Sequence, residues 1–227
     1  MLARLLALLF IALPLTASAQ AKWQEGVHYS LLSGSQTTGT VPGKIEVAEV
    51  FSYGCIHCYR AKDAMARIAA ALPPDAAMTY VHASFNTGEA WPMFQRAFYT
   101  AQEKGIATTT HDAMFVAVWE SGEIPLMDAA TGRARRPSPT LNDAAKFYAR
   151  AASIKEADFL AASTSPAVEA RIARAEELVK LWRIPGTPTI VVNGRYMVDS
   201  STLASWDELS QLTNYLVGLE RARLRKK

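Results

Sequence analysis

Cys55 and Cys58 are the only cysteines in the 227-residue chain, and they stand two residues apart in the stretch FSYGCIHCYR, residues 51–60. A thiol pair at that spacing supports three chemistries: metal ligation, a structural crosslink, or reversible thiol–disulfide exchange. Structural zinc takes four ligands, as two Cys pairs or one Cys pair with a spaced His pair. The histidines are His28, His57, His82 and His111, none at such spacing, and His57 between the cysteines would strain a chelate. A crosslink closing so short a loop contributes only roughly 2 kcal/mol in the chain-entropy model, and a chain of this length has core enough without it. Exchange is the best supported of the three.

The elements around the pair give the physical reason. Lys44 to Ser52 (KIEVAEVFS) reads as a strand, and Gly54 with Cys55 breaks it. From Cys55 to about Ala71 the apolar residues Tyr59, Met65, Ile68 and Leu72 fall near helical spacing, and Pro73-Pro74-Asp75 ends the run. Met78 to Ser84 is a second strand, which makes a βαβ unit with parallel pairing. Cys-x-x-Cys beside such a unit reads as a redox motif. Cys55 falls at the helix start, where unpaired N–H groups and the helix dipole favour a thiolate, the nucleophilic form of a thiol. Cys58 lies one turn further on, close enough to close a disulfide. His57 is either a cationic or hydrogen-bonding neighbour of the sulfur or an exposed bystander. Glu49 shares a strand face with Ile45, Val47 and Phe51 by the period of two. It is either a strand-end carboxylate reaching water or a buried proton acceptor beneath the cysteine pair, with a pKa raised by burial. Tyr53, also near the pair, reads chiefly as core.

Beyond the βαβ unit the pattern turns helical from Glu89 to about Arg183. Pro92 suits a first turn, with Trp91, Phe94, Phe98 and Ala101 on one face. A second helix is expected over about His111 to Glu120, and a third opens at Thr140 with Asp143 three residues later. A short fourth covers Glu156 to Ala161, and a long fifth starts at the cap Ser165-Pro166. Strand character returns at Thr189 to Val192, and Asn193-Gly194 is a strong hairpin signal before Arg195 to Val198. Ser205 to Glu208 forms a capping-box pattern opening a last helix, with Trp206, Leu209, Leu212, Leu216 and Leu219 expected inward.

Composition sets the setting. The first residues, MLARLLALLFIALPLTASAQA, carry Arg4, an apolar run and the small-x-small Ala17-Ser18-Ala19, the pattern of a cleaved secretory signal peptide over 1–19. Export implies an oxidising compartment where disulfides persist. A formal net charge of +3 predicts neither nucleic acid nor acidic membrane as a partner. The basic clusters Arg133-Arg135-Arg136 and Arg221 to Lys227 read as solvated faces.

FSYGCIHCY resembles the active-site region of the DsbA family of periplasmic thiol oxidases, whose pattern is Cys-x-His-Cys. Thr187-Pro188-Thr189 with Val192-Asn193-Gly194 resembles that family's second signature, in which the proline is cis and faces the disulfide. The resemblance covers essentially the whole mature chain. It implies an α/β fold, a thioredoxin fold interrupted by an all-helical insertion domain. The expected parts are 1–19 signal peptide, 20–85 and 177–227 thioredoxin fold, and 86–176 insertion. It implies a protein dithiol–disulfide oxidoreductase that donates a Cys55–Cys58 disulfide to newly exported proteins. Cys55, Cys58, His57 and Glu49 would be catalytic, and Thr187 and Pro188 would bind substrate. No dissociable cofactor and no metal are needed. The implied partners are unfolded secreted proteins with free thiols and a membrane reoxidase of the DsbB type; the chain is expected to be a periplasmic monomer. Two positions depart from the pattern. Ile56 stands where proline is common, and Tyr80 where the best-known member has a buried lysine. A reductase or isomerase, or a secreted binding protein with an inert disulfide, are the alternatives.

Overall fold

The computed structural model describes residues 22–128 and 130–226; the segment read as a signal peptide lies outside them. Strands β1 (Tyr29–Leu31) and β2 (Ile45–Phe51) lead into helix α1 (Ile56–Ala70) and strand β3 (Ala76–His82). Then come α2 (Trp91–Glu103), α3 (Ala107–Trp119), α4 (Leu141–Ala152), α5 (Glu156–Ala162) and α6 (Pro166–Leu181). Strands β4 (Thr189–Val192) and β5 (Tyr196–Val198) and helix α7 (Trp206–Leu224) follow. The strands form one sheet in the order β1-β5-β4-β2-β3, in which β2 pairs parallel with β3 and antiparallel with β4.

All residues of β2 are buried, as expected of a strand covered on both faces. On one side Val47 and Ile190 of the sheet meet Met65 and Ile68 of α1 and Leu212 and Leu216 of α7. Each such buried aliphatic side chain stabilises the fold by roughly 1.5–3 kcal/mol. A second core joins the sheet to the five-helix block, with Val50, Phe51 and Val81 packed among Phe94, Phe98, Phe115, Tyr148 and Trp182. The cysteine pair therefore sits where sheet, α1 and the helical block meet.

Local signals explain several element ends. At α4 Asp143 Oδ2 accepts from both the N–H and the hydroxyl of Thr140 at 2.8 Å, and Ser165 accepts from the Val168 N–H at α6. Asn193 and Gly194 both have positive φ, 49° and 61°, and the Arg195 N–H closes the turn on the Val192 carbonyl at 3.0 Å; Val192 pairs with Tyr196, so the hairpin loop is the three residues 193–195 and β5 starts one residue later than read. A Cβ on Gly194 would also lie 2.0 Å from the Gln36 carbonyl oxygen, so only glycine fits there.

Three expectations need correction. Helix α3 begins at Ala107, a turn before His111. Trp206 is not inward: it is 43% exposed, because α7 starts at this residue, beyond the sheet that covers its later turns. At the same cap Ser205 accepts from the Glu208 N–H, but the Glu208 carboxylate reaches the N–H of Ala204, not that of Ser205. Strand β1 was not anticipated; its three residues are too few to show a period.

Candidate active site

The link from β2 to α1 is a tight turn over residues 52–55, closed by a hydrogen bond from the Cys55 N–H to the Ser52 carbonyl, 3.1 Å. Its peptide groups are held by side chains. The Tyr53 N–H donates to Nε2 of buried His82 at 3.2 Å, and the Gly54 N–H donates to Ser52 Oγ at 3.1 Å. Cys55 is the N-cap of α1, and Cys58 lies in its first turn. Both are buried and unlinked.

The two sulfurs differ in electrostatics. The Cys55 thiol is lowered to about 5, first by the hydrogen bond from Cys58, against the opposing effect of burial. The Thr187 side chain and the backbone N–H groups of Cys58 and His57 add to it. Those N–H groups are the orphan donors of the helix start, as the sequence suggested. The Cys58 thiol is pushed far up by burial, then by its bond to Cys55. One thiolate and one buried thiol is the arrangement a nucleophile and its resolving partner require. The His57 imidazole is exposed and makes no hydrogen bond to the sulfur; what this residue gives Cys55 is its backbone N–H.

Across the sulfur lies the loop before β4. Cys55 Sγ is 3.4 Å from the carbonyl oxygen of Thr187, and the Thr187–Pro188 bond is cis, as expected. The Thr189 hydroxyl braces this loop by donating to the Gly186 carbonyl, 2.8 Å.

Glu49 is 2% exposed and its Oε2 has no hydrogen-bond partner, so the strand-end reading is overturned. Burial, and then the charge of Asp112, raise its carboxyl to about 8. Glu49 pairs across the sheet with Tyr80. A phenol there carries no positive charge, and Tyr80 is itself raised to about 12 by burial and then by Glu49. The carboxyl is therefore largely neutral at pH 7 and can give or take a proton near Cys58, whose own pKa it raises. Tyr53 is core, as read, and its hydroxyl meets His111 Nδ1 at 3.0 Å. Burial lowers His82 to about 3 and His111 to about 4, so both rings are neutral at pH 7.

Sequence reasoning missed the cleft beside the pair. It has a volume of about 360 Å³ and is lined by Arg60, Met65, Pro188, Ile190, Trp206 and Leu209, with His57 at its rim. A second hollow of about 520 Å³ lies along the same loop, bordered by Val27, Tyr29 and Met197. Only the exposed start of α7 could have hinted at the first, and the helical period alone placed Trp206 inward. Among the described residues no group of three or more His, Cys, Asp or Glu side chains could hold a metal ion. Among them, too, no helix is long and apolar enough to cross a membrane.

Comparison with known proteins agrees with this geometry. The model of the DSBA-like thioredoxin domain matches residues 46–214. The chain is 33% identical over 208 residues to the thiol:disulfide interchange protein DsbA of Pseudomonas syringae pv. tomato, covering 92% of this chain and 89% of that one. The DsbA of Azotobacter vinelandii is 32% identical over 181 residues, 80% of this chain and 77% of the relative. Among solved structures, the oxidoreductase DsbA from Xylella fastidiosa superposes with a TM-score of 0.73 at 34% identity, over 86% of this chain and 96% of that one. Pseudomonas aeruginosa DsbA gives 0.73 at 28% identity, over 89% and 97%. The fold is a thioredoxin fold with a helical insertion, and the chain belongs to the DSBA-like thioredoxin family of thiol:disulfide oxidoreductases.

Proposed function

We propose that Cys55 and Cys58 form the redox-active disulfide and that the protein donates it to newly exported polypeptides in the periplasm. The observation that carries this reading is the unequal pair: Cys55 lowered to about 5 beside a Cys58 pushed far up. A substrate thiolate attacks Cys55 Sγ, forms a mixed disulfide, and Cys58 leaves with a proton, for which Glu49 is the neighbouring donor. The substrate's second thiolate then attacks its own sulfur in the mixed disulfide and expels Cys55 as a thiolate. The substrate loses two electrons and gains a disulfide; the protein gains two electrons and ends with a thiolate and a thiol. A good leaving group departs fast, and a low thiol pKa makes Cys55 one.

In this reading Thr187 and Pro188 hold the substrate backbone against the sulfur, and the cleft lined by Met65, Ile190, Trp206 and Leu209 takes its apolar side chains. The thioredoxin unit consists of 20–85 and 177–227, and 86–176 is the insertion. The chain works as a monomer, and a membrane reoxidase of the DsbB type restores the disulfide. The test is oxidative refolding of a reduced, unfolded secreted protein by the oxidised enzyme. Stoichiometric disulfide transfer, lost in Cys55→Ser, supports the proposal; no transfer by the unsubstituted protein overturns it.

A further inference from the structure

Trp119, the last residue of α3, donates its indole N–H to the Tyr53 carbonyl oxygen at 2.9 Å. Its ring also stacks on Tyr59, with centroids 6.3 Å apart and planes 25° from parallel. Tyr53 comes two residues before Cys55, and Tyr59 comes one after Cys58. A single side chain from the helical block therefore touches the chain on both sides of the reactive pair. The other two anchors of the turn, His82 on the Tyr53 N–H and Ser52 on the Gly54 N–H, come from the strands and from the turn itself. The helical block also packs on the turn through side chains that leave its backbone alone: His111 meets the Tyr53 hydroxyl at 3.0 Å, and the Trp91 ring lies so close that a Cβ on Gly54 would be 2.8 Å from it, with its indole N–H unpartnered.

We propose that Trp119 is a positioning residue: its indole N–H fixes the peptide group between Tyr53 and Gly54, and thereby keeps the Cys55 sulfur over the N–H groups at the start of α1. Ser52 Oγ holds the N–H side of this peptide group at 3.1 Å and the Trp119 indole holds its carbonyl side at 2.9 Å; without the second anchor the plane can tilt about the first. Rotation of this plane swings the Gly54–Cys55 segment, and with it Sγ, away from donors that act only at short range. The helical insertion thus sets the reactivity of a cysteine that belongs to the thioredoxin unit. The inference rests on Cys55 being the reactive sulfur, and it applies to this chain's own tryptophan.

The test compares the unsubstituted protein with Trp119→Phe, which keeps a ring against Tyr59 and removes the donor. Tyr59→Phe, which removes only the hydroxyl bond to Glu120 at 2.7 Å, is the control. The readout is the Cys55 thiolate titration by ultraviolet absorbance, with the equilibrium against glutathione at pH 7. The titratable group facing Cys55 is Cys58, which in turn faces Glu49, so both substitutions leave the local charges in place. Trp119→Phe should raise the Cys55 midpoint and move the glutathione equilibrium about three- to tenfold toward the disulfide, since one pKa unit is a factor of ten. Tyr59→Phe should leave both unchanged. A Trp119→Phe protein with an unshifted midpoint overturns the inference while leaving the proposed function standing, and so does an equal shift in Tyr59→Phe. An ordinary thiol midpoint in the unsubstituted protein overturns both. Where Trp119→Phe does not fold, the unsubstituted protein still decides by NMR. The Trp119 indole proton should exchange slowly with solvent and shift on oxidation; a fast-exchanging, redox-insensitive proton contradicts the inference.

Discussion

The Cys55 sulfur faces the Thr187 carbonyl oxygen at 3.4 Å, although the two residues stand 132 positions apart in the sequence. Six helices, α1 to α6, lie between the two in sequence, and both nonetheless meet over one sheet, because β2 and β4 are hydrogen-bonded neighbours. The strand that ends at the cysteines and the strand that begins after Pro188 bring their loops to the same edge. This juxtaposition sets the sulfur with the lowered pKa beside a backbone carbonyl, the arrangement that the proposed disulfide transfer uses.

Alkylation should discriminate between the two thiols. At pH 6 the reduced protein should be modified by iodoacetamide at Cys55 alone, with the rate falling as pH drops through about 5. Peptide mass mapping reads the site. Equal labelling of Cys58 would mean that the thiols do not differ as described.

Glu49→Gln should separate chemistry from stability. Loss of acid–base help should slow disulfide exchange by up to about 10²-fold. The sign for stability is the reverse. A carboxyl raised from 4.5 to about 8 favours the fold fully below pH 4.5, and that contribution is lost as pH rises through 8. By pH 7 holding it neutral costs about 3 kcal/mol, so Glu49→Gln should be the more stable protein there by an amount of that order. Near pH 4 the two should melt alike. Denaturant melts at both pH values check this, and a Gln variant equally destabilised at both would make Glu49 a packing residue only.

The cleft should discriminate between peptide and small-molecule substrates. Trp206→Ala should raise KM for a peptide with an apolar residue beside its cysteine by about tenfold, the loss of roughly 1.4 kcal/mol of apolar contact. Oxidation of dithiothreitol should be unaffected, because that molecule does not fill the cleft. Equal effects on both substrates would place Trp206 outside the binding surface.

Much of this was legible before the structure. The βαβ unit, the caps at Thr140 and Ser165 and the Asn193-Gly194 hairpin each rest on local chemistry, and each formed, the hairpin's second strand one residue later than read. Cys55 at a helix start needed only the strand–Gly–Cys order. What the sequence left dark depends on packing between distant segments. Trp119, His82 and His111 carry no local sign that they would close on Tyr53. Glu49 could be placed on a face, but its burial follows from α1 and the helical block together covering that face. Trp206 kept helical phase with its inward neighbours and still faces solvent, because periodicity describes a helix and not where its covering partner ends.

Redox state should couple to pH through Cys55. Its thiol is lowered from 9.0 to about 5, so its contribution to stability is fully present above pH 9 and lost as pH falls through 5. The site is partly open to solvent, and screening brings the contribution at pH 7 to about 1–2 kcal/mol. The disulfide form has no thiolate and instead gains roughly 2 kcal/mol from its small loop. The reduced form should therefore gain on the oxidised form as pH rises from 5 to 9. A difference in melting temperature that does not change with pH would argue against a stabilised thiolate.

The most direct measurement is the equilibrium constant of the Cys55–Cys58 pair with glutathione at pH 7. A thiolate stabilised at Cys55 should shift it toward the reduced pair by about ten- to a hundredfold relative to a dithiol of ordinary pKa, making the disulfide a strong donor. A constant equal to that of an ordinary dithiol, or one that keeps the pair oxidised in reducing glutathione mixtures, would contradict disulfide donation.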